Sequence, residues 1–123
     1  MANALTLGFS LTYTGTGTSP RISTLACGPT SIAVVPSGNG FVKSVISVGT
    51  ADETLALGDV ATNGYLWLHN LDGTNYITFG PDGSSYPVKL KAGEIALLRW
   101  NGAAIHAKAN TAACQLEYAL IED

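Results

Sequence analysis

At 123 residues the chain has the length of one domain, and folding would bury about two-thirds of its unfolded surface, enough for a core that needs no covalent staples. Only 12% of its residues are Asp, Glu, Lys or Arg, against about 25% in ordinary soluble domains. Six basic against nine acidic residues leave a net charge of −3, and Lys89 with Lys91 is the nearest approach to a basic cluster. Nucleic-acid binding, which needs clustered cations to neutralise phosphates, is therefore not expected, and no apolar run approaches the ~18–20 residues that span a bilayer.

Glycine and proline punctuate the chain so often that no uninterrupted stretch before Gly102 exceeds eight residues. An ordinary helix takes about 11–12 residues, whereas a strand takes about 5–6. The spacing predicts an all-β chain. The first strand has the clearest pattern: Leu5, Leu7, Phe9, Leu11 and Tyr13 alternate with Thr6, Gly8, Ser10 and Thr12, the period of a strand with one face on a core and one in solvent. Residues 14–20, polar and glycine-rich, read as a flexible loop. Short apolar pieces follow at Ile22–Cys27 and Ser31–Val35, closed by the turn signal Pro36-Ser37-Gly38-Asn39-Gly40.

Phe41–Val48 is β-branched and aromatic and predicts a strand. Thr50-Ala51-Asp52-Glu53 has the form of a helix capping box, but Gly49 and Gly58 leave room for two turns at most, so a strand at Glu53–Leu57 is preferred. Asn63-Gly64 is a favoured hairpin dipeptide and leads into Tyr65–Leu71. There Tyr65, Trp67, His69 and Leu71 form one face and Leu66, Leu68 and Asn70 the other. Further strands are predicted at Tyr76–Phe79, Tyr86–Leu90 and Glu94–Trp100, the last again apolar on both faces. Asn101-Gly102 signals a second hairpin, Ile105–Ala109 the returning strand, and Leu116, Tyr118 and Leu120 mark the final one. The whole predicts a single β-sandwich domain over residues 1–123, jelly-roll-like, with about eight to ten short strands.

The chemistry-bearing residues form no recognisable constellation. A metal site of cupin type needs several histidines and a carboxylate, and only His69 and His106 are present, without a His-x-His, His-x-Asp or His-x-Glu pair. No serine lies in a Gly-x-Ser-x-Gly setting. The threonine-interleaved Gly15 and Gly17 precede no lysine and no helix, so they make no phosphate loop. Asp59, Asp72 and Asp82 stand beside glycines, where turn formation accounts for them. No catalytic residue, metal or cofactor is expected, and the chain is read as non-enzymatic. The opening Met1-Ala2-Asn3-Ala4-Leu5 lacks the features of a signal peptide, which predicts synthesis in the cytoplasm with Cys27 and Cys114 both reduced.

A surface this short of charge, carried by strands apolar on both faces, predicts that part of it is an interface with another copy of the chain. Tyr65, Trp67 and Trp100 are its candidate anchors, with a homotrimer or homodimer as the product.

The stretches Gly64–Asp72, Thr74-Asn75-Tyr76-Ile77, Val88–Glu94, Ala107-Lys108-Ala109 and Leu116-Glu117-Tyr118 resemble those of small virion structural proteins of tailed bacteriophages. The resemblance covers roughly residues 41–123 and not the first forty. It implies a jelly-roll decoration (cement) protein, assembled in the host cytoplasm into the virion, that binds itself and the major capsid protein or another virion protein and stabilises the shell. A tail or adaptor component is the alternative within that class. A carbohydrate-binding jelly-roll module is the alternative outside it, and would need aromatics exposed in a loop groove.

Overall fold

Backbone donors and acceptors that enter no helix have to be paired between strands. The computed structural model describes residues 4–14 and 24–123, and among them places ten strands and no helix. Every strand pairing is antiparallel. The chain forms two compact units, Met1–Pro36 and Ser37–Asp123.

The first unit is a two-stranded pair, β1 (Leu5–Thr14) with β2 (Thr24–Val34). The short apolar pieces on either side of Gly28-Pro29 join in the one strand β2. The ladder shifts register between Phe9 and Leu11, and Gly28 takes a φ of 83°, a left-handed conformation that a side chain would resist. Pro29, which has no N–H to donate, is tolerated because β2 is an edge strand. The alternation of β1 does produce an apolar face, but that face is not the buried one expected. Leu7 is buried, whereas Phe9 and Leu11 are 41% and 58% exposed. The loop expected over residues 14–20 lies, beyond Thr14 in β1, outside the described residues.

The second unit holds two four-stranded sheets. One has the order β3 (Phe41–Val48), β10 (Cys114–Glu122), β5 (Asn63–Asn70), β8 (Ile95–Arg99). The other has the order β4 (Glu53–Thr54), β9 (His106–Ala109), β6 (Ile77–Gly80), β7 (Val88–Leu90). Both sheets give one face to a common core: Val48, Leu66, Leu68, Leu116, Tyr118 and Leu120 from the first, Ile77, Phe79, Leu90, Ala107 and Ala109 from the second. The period-two pattern of the last strand thus sends Leu116, Tyr118 and Leu120 inward, as expected. Two buried polar side chains in this core, Tyr118 and Asn70, are bonded. The Tyr118 hydroxyl donates to the Ala56 carbonyl at 2.8 Å. The Asn70 amide donates to the carbonyls of Asn75 (2.9 Å) and Leu90 (3.1 Å), while its oxygen accepts the Asp72 N–H at 3.0 Å.

Local signals fail where the chain leaves one sheet for the other. Asn63-Gly64 makes no hairpin turn; both residues belong to β5. Gly64 is required there because a Cβ would stand 2.6 Å from the Ile121 carbonyl oxygen, beside the register shift between Leu120 and Glu122. Asn101-Gly102 makes none either: β8 pairs with β5, while β9 pairs with β4 and β6. The capping-box sequence forms no helix. The Glu53 carboxylate accepts the Gly49 N–H at 2.5 Å, and β4 is continued by the Leu55 N–H donating to the Ile105 carbonyl at 2.9 Å. Two aspartates act as turn formers: Asp72 accepts the N–H groups of Thr74 and Asn75, and Asp82 those of Ser84 and Ser85.

Candidate functional site: the outer face of the β3-β10-β5-β8 sheet

Parity along the strands decides what the outer face carries. With Leu66, Leu68 and Asn70 turned into the core, Tyr65, Trp67 and His69 of β5 must point the other way. Register then places their neighbours. Tyr65 stands opposite Arg99, Trp67 opposite Leu97 and His69 opposite Ile95 on β8. On the other side, Trp67 is paired with Ala119 and His69 with Glu117 of β10. Beyond β10, Glu117 is opposite Val45 and Ile121 opposite Phe41.

The result is a four-stranded face in which apolar groups outnumber charges. Phe41, Val45 and Ile95 are 69%, 55% and 50% exposed. Lys43, Ser47 and Gln115 share this outward parity, while several other polar groups on the face are engaged with one another. The Trp67 indole N–H donates to Glu117 Oε1 at 3.0 Å, and His69 Nδ1 lies 3.9 Å from the same oxygen. The Arg99 guanidinium covers the Tyr65 ring at 4.6 Å and bonds Asp123 Oδ1 at 2.7 Å, contacts that hold it still more firmly protonated.

Of the three aromatic anchors expected from sequence, the structure brings Tyr65 and Trp67 together here and withdraws the third. Trp100 is buried to 7% exposure in the core, its indole N–H donating to the Ala104 carbonyl at 3.0 Å. Sequence reasoning missed Phe41, Val45 and Ile95. The signal was present: β3 and β8, like β5, carry large apolar residues at both parities, and a strand with one solvated face does not.

The remaining chemistry-bearing groups form a second, smaller cluster around Asp52. Its carboxylate accepts the Tyr86 hydroxyl and contacts His106 Nδ1 at 2.9 Å. The bond from Tyr86, then that from His106, holds Asp52 below the usual carboxylate range, and the Tyr86 phenol is pushed up to about 12 mainly by the same bond. An Asp–His pair becomes hydrolytic when a nucleophile meets the other ring nitrogen. Among the described residues no serine or cysteine side chain bonds His106; Ser84 Oγ instead donates to Asp82. His69 and His106 lie on different sheets, and among the described residues no three His, Cys, Asp or Glu side chains converge as metal ligands. Cys27 and Cys114 are both free, the first exposed and the second buried.

Three of the tyrosine rings that could form a sugar platform carry a cation over them. Lys89 Nζ sits 4.0 Å from the Tyr76 ring centre, Lys108 Nζ 5.1 Å from that of Tyr86, and Arg99 over Tyr65. What the arrangement offers is a broad, mostly apolar sheet face suited to adhesion. Compared with models of protein families, with curated proteins and with solved structures, the chain matches none of them.

Proposed function

We propose that this chain is a non-enzymatic structural protein of a tailed-phage virion, a capsid decoration protein that self-associates and stabilises the shell. The observation that carries this reading is the outer face of the β3-β10-β5-β8 sheet, where Phe41, Val45, Trp67 and Ile95 stand together. Four strands about 4.8 Å apart and about 24 Å long present a footprint of roughly 450 Å²; the apolar groups gathered within it form a patch of the kind that is often functional on a protein surface. Tyr65 and Trp67 serve as its aromatic anchors, and a second copy and the major capsid protein are its partners.

The fold reading goes with it. The strand orders β3-β10-β5-β8 and β4-β9-β6-β7 support reading the eight strands as a jelly-roll sandwich of two Greek keys, an architecture shared by capsid proteins, lectins and cupins. Among those three, the cations seated over Tyr65, Tyr76 and Tyr86 weigh against sugar binding there and the separated histidines against a cupin metal centre. The resemblance of residues 41–123 to phage virion proteins supports the capsid.

Self-association is tested by light scattering coupled to size exclusion. The expected mass is a multiple of 12.7 kDa, shifted toward the single-chain value by Val45→Lys combined with Ile95→Lys. A wild-type mass of one chain at about 100 µM removes the self-associating role. Virion membership is tested by mass spectrometry and reconstruction of purified particles. Density for the chain at capsid joints is the expected result, density confined to the tail selects the tail or adaptor role, and absence from the particle overturns the proposal.

A further inference from the structure

We infer that Asn101 is a site of self-modification: of the chain's Asn-Gly pairs, Asn39-Gly40, Asn63-Gly64 and Asn101-Gly102, the folded protein leaves only the last free to lose its side-chain amide. The step is internal. The Gly102 backbone nitrogen gives up its proton and attacks the side-chain carbonyl carbon of Asn101. A C–N bond forms, the bond to the amide NH₂ breaks, and that group leaves with the proton as ammonia. Water then opens the five-membered imide at either carbonyl, giving an aspartyl or an isoaspartyl residue. No oxidant or reductant is needed. A following glycine favours the attack because no Cβ shields its nitrogen.

The structure separates the three pairs by what holds the nitrogen and the amide. At Asn39-Gly40, the Gly40 N–H donates to the Glu122 carboxylate at 2.6 Å, and the Asn39 N–H bonds the same group. A negative charge on that proton opposes its loss. At Asn63-Gly64, both residues belong to β5, and the Gly64 carbonyl accepts the Trp100 N–H at 2.9 Å. Gly64 also lies so close to the Ile121 carbonyl that a Cβ would not fit. The Asn63 amide is itself tied, its nitrogen donating to the Gly102 carbonyl at 2.7 Å and its oxygen sealed from solvent. Swinging that amide onto Gly64 means lifting β5 out of its sheet.

Asn101 and Gly102 lie between β8 and β9, outside every ladder, and both are exposed. Among the described residues, no hydrogen bond engages the Asn101 side chain or the Gly102 N–H. Amide and nitrogen can therefore meet without any ladder bond breaking. Conversion adds one negative charge, taking the net charge from −3 to −4. The isoaspartyl form also lengthens the backbone beside Trp100, whose indole closes this loop onto the Ala104 carbonyl. The inference does not depend on the proposed function.

Purified protein is held in mildly alkaline buffer, folded or in denaturing guanidinium, and sampled by tryptic mass spectrometry. Cuts after Arg21, Lys43, Lys89, Arg99 and Lys108 put the three pairs in three different peptides, and Trp100–Lys108 contains no other asparagine. In the folded protein, the mass gain of NH₂ replaced by OH should appear at Asn101 at least about tenfold faster than at Asn39 or Asn63. A local opening free energy of about 1.4 kcal/mol at the two held sites suffices for that ratio. In guanidinium the three rates should converge. Anion exchange should show a more acidic form growing in step with the Asn101 product. Glu122→Gln should release Asn39 while Asn63 stays slow, which shows in the same digest that β5 remains in its sheet. An Asn101 no faster than the other two in the folded protein, or as strongly protected by folding as Asn63, overturns the inference. An Asn39 that stays slow in Glu122→Gln overturns the part given to that carboxylate.

Discussion

Asn70 shows how much one side chain can hold. It is fully buried, and its three hydrogen bonds join the end of β5 to the end of β7 and to the Asp72 turn. Asn70→Ala strands two carbonyls and an N–H, and each buried polar group left without a partner costs about 1–3 kcal/mol. The expected outcome is a fall in melting temperature of at least about 4 °C for a unit of this size, read by thermal unfolding in circular dichroism. Tyr86 gives a residue-scale prediction in pH. Its folded-state pKa is raised, so its bond to Asp52 contributes stability fully present below the unfolded value of about 10 and lost as pH rises through about 12. Titration of the phenolate absorbance should show, besides the late ionisation that burial imposes on Tyr118, a step near pH 12 that Asp52→Asn brings back toward about 10. An unchanged step would place the cause elsewhere.

Between elements, the C-terminal strand works as a clasp. The Glu122 carboxylate of β10 accepts the N–H groups of Gly40 (2.6 Å), just before β3, and Ala61 (3.2 Å), before β5. These bonds hold its pKa below the usual value. A depressed carboxylate contributes stability present above its unfolded pKa and lost as pH falls through the folded one. Glu122→Gln should therefore melt below the wild type at about pH 7, and the two should converge at about pH 2, where both side chains are neutral. A difference that persists at acid pH would show that packing, not charge, carries the clasp. Gly64→Ala tests the same crossing from the other side. Its Cβ would meet the Ile121 carbonyl at 2.6 Å, and forcing β5 and β10 apart should cost about 1–3 kcal/mol in denaturant unfolding. These contacts were illegible beforehand. Asn63-Gly64 carries hairpin chemistry, and what overrides it is a strand arriving from nearly sixty residues away in sequence.

For the whole molecule, scarcity of charge is the governing property. A net charge of −3 at pH 7 and an isoelectric point near 5.1 leave little repulsion between copies. Association through the outer sheet face should tighten as pH falls toward 5.1, so light scattering should record a lower association midpoint there than at about pH 8. A midpoint that rises instead would mean that ion pairs between copies, and not apolar contact, drive assembly. Added salt separates the two further, since it screens pairs of exposed charges and leaves apolar burial in place.

Strand character was legible in the sequence because it is local. Glycine and proline spacing excludes helices, and period-two alternation in Leu5–Thr14 and Leu116–Ile121 marks strands whatever they pair with. The parity of apolar residues also announced that β5 and β8 have two apolar faces. Partner choice was not legible, because hydrogen-bond ladders join residues far apart in sequence and every strand edge offers the same donors and acceptors. Only the tertiary structure set β5 between β10 and β8, gathered Tyr65 and Trp67 with Phe41, Val45 and Ile95 on one outer face, and sent Trp100 into the core. It alone separated the β1–β2 pair from the two sheets as a unit of its own. Alternation states that a strand has an apolar side; which surface covers that side depends on the packing of whole sheets.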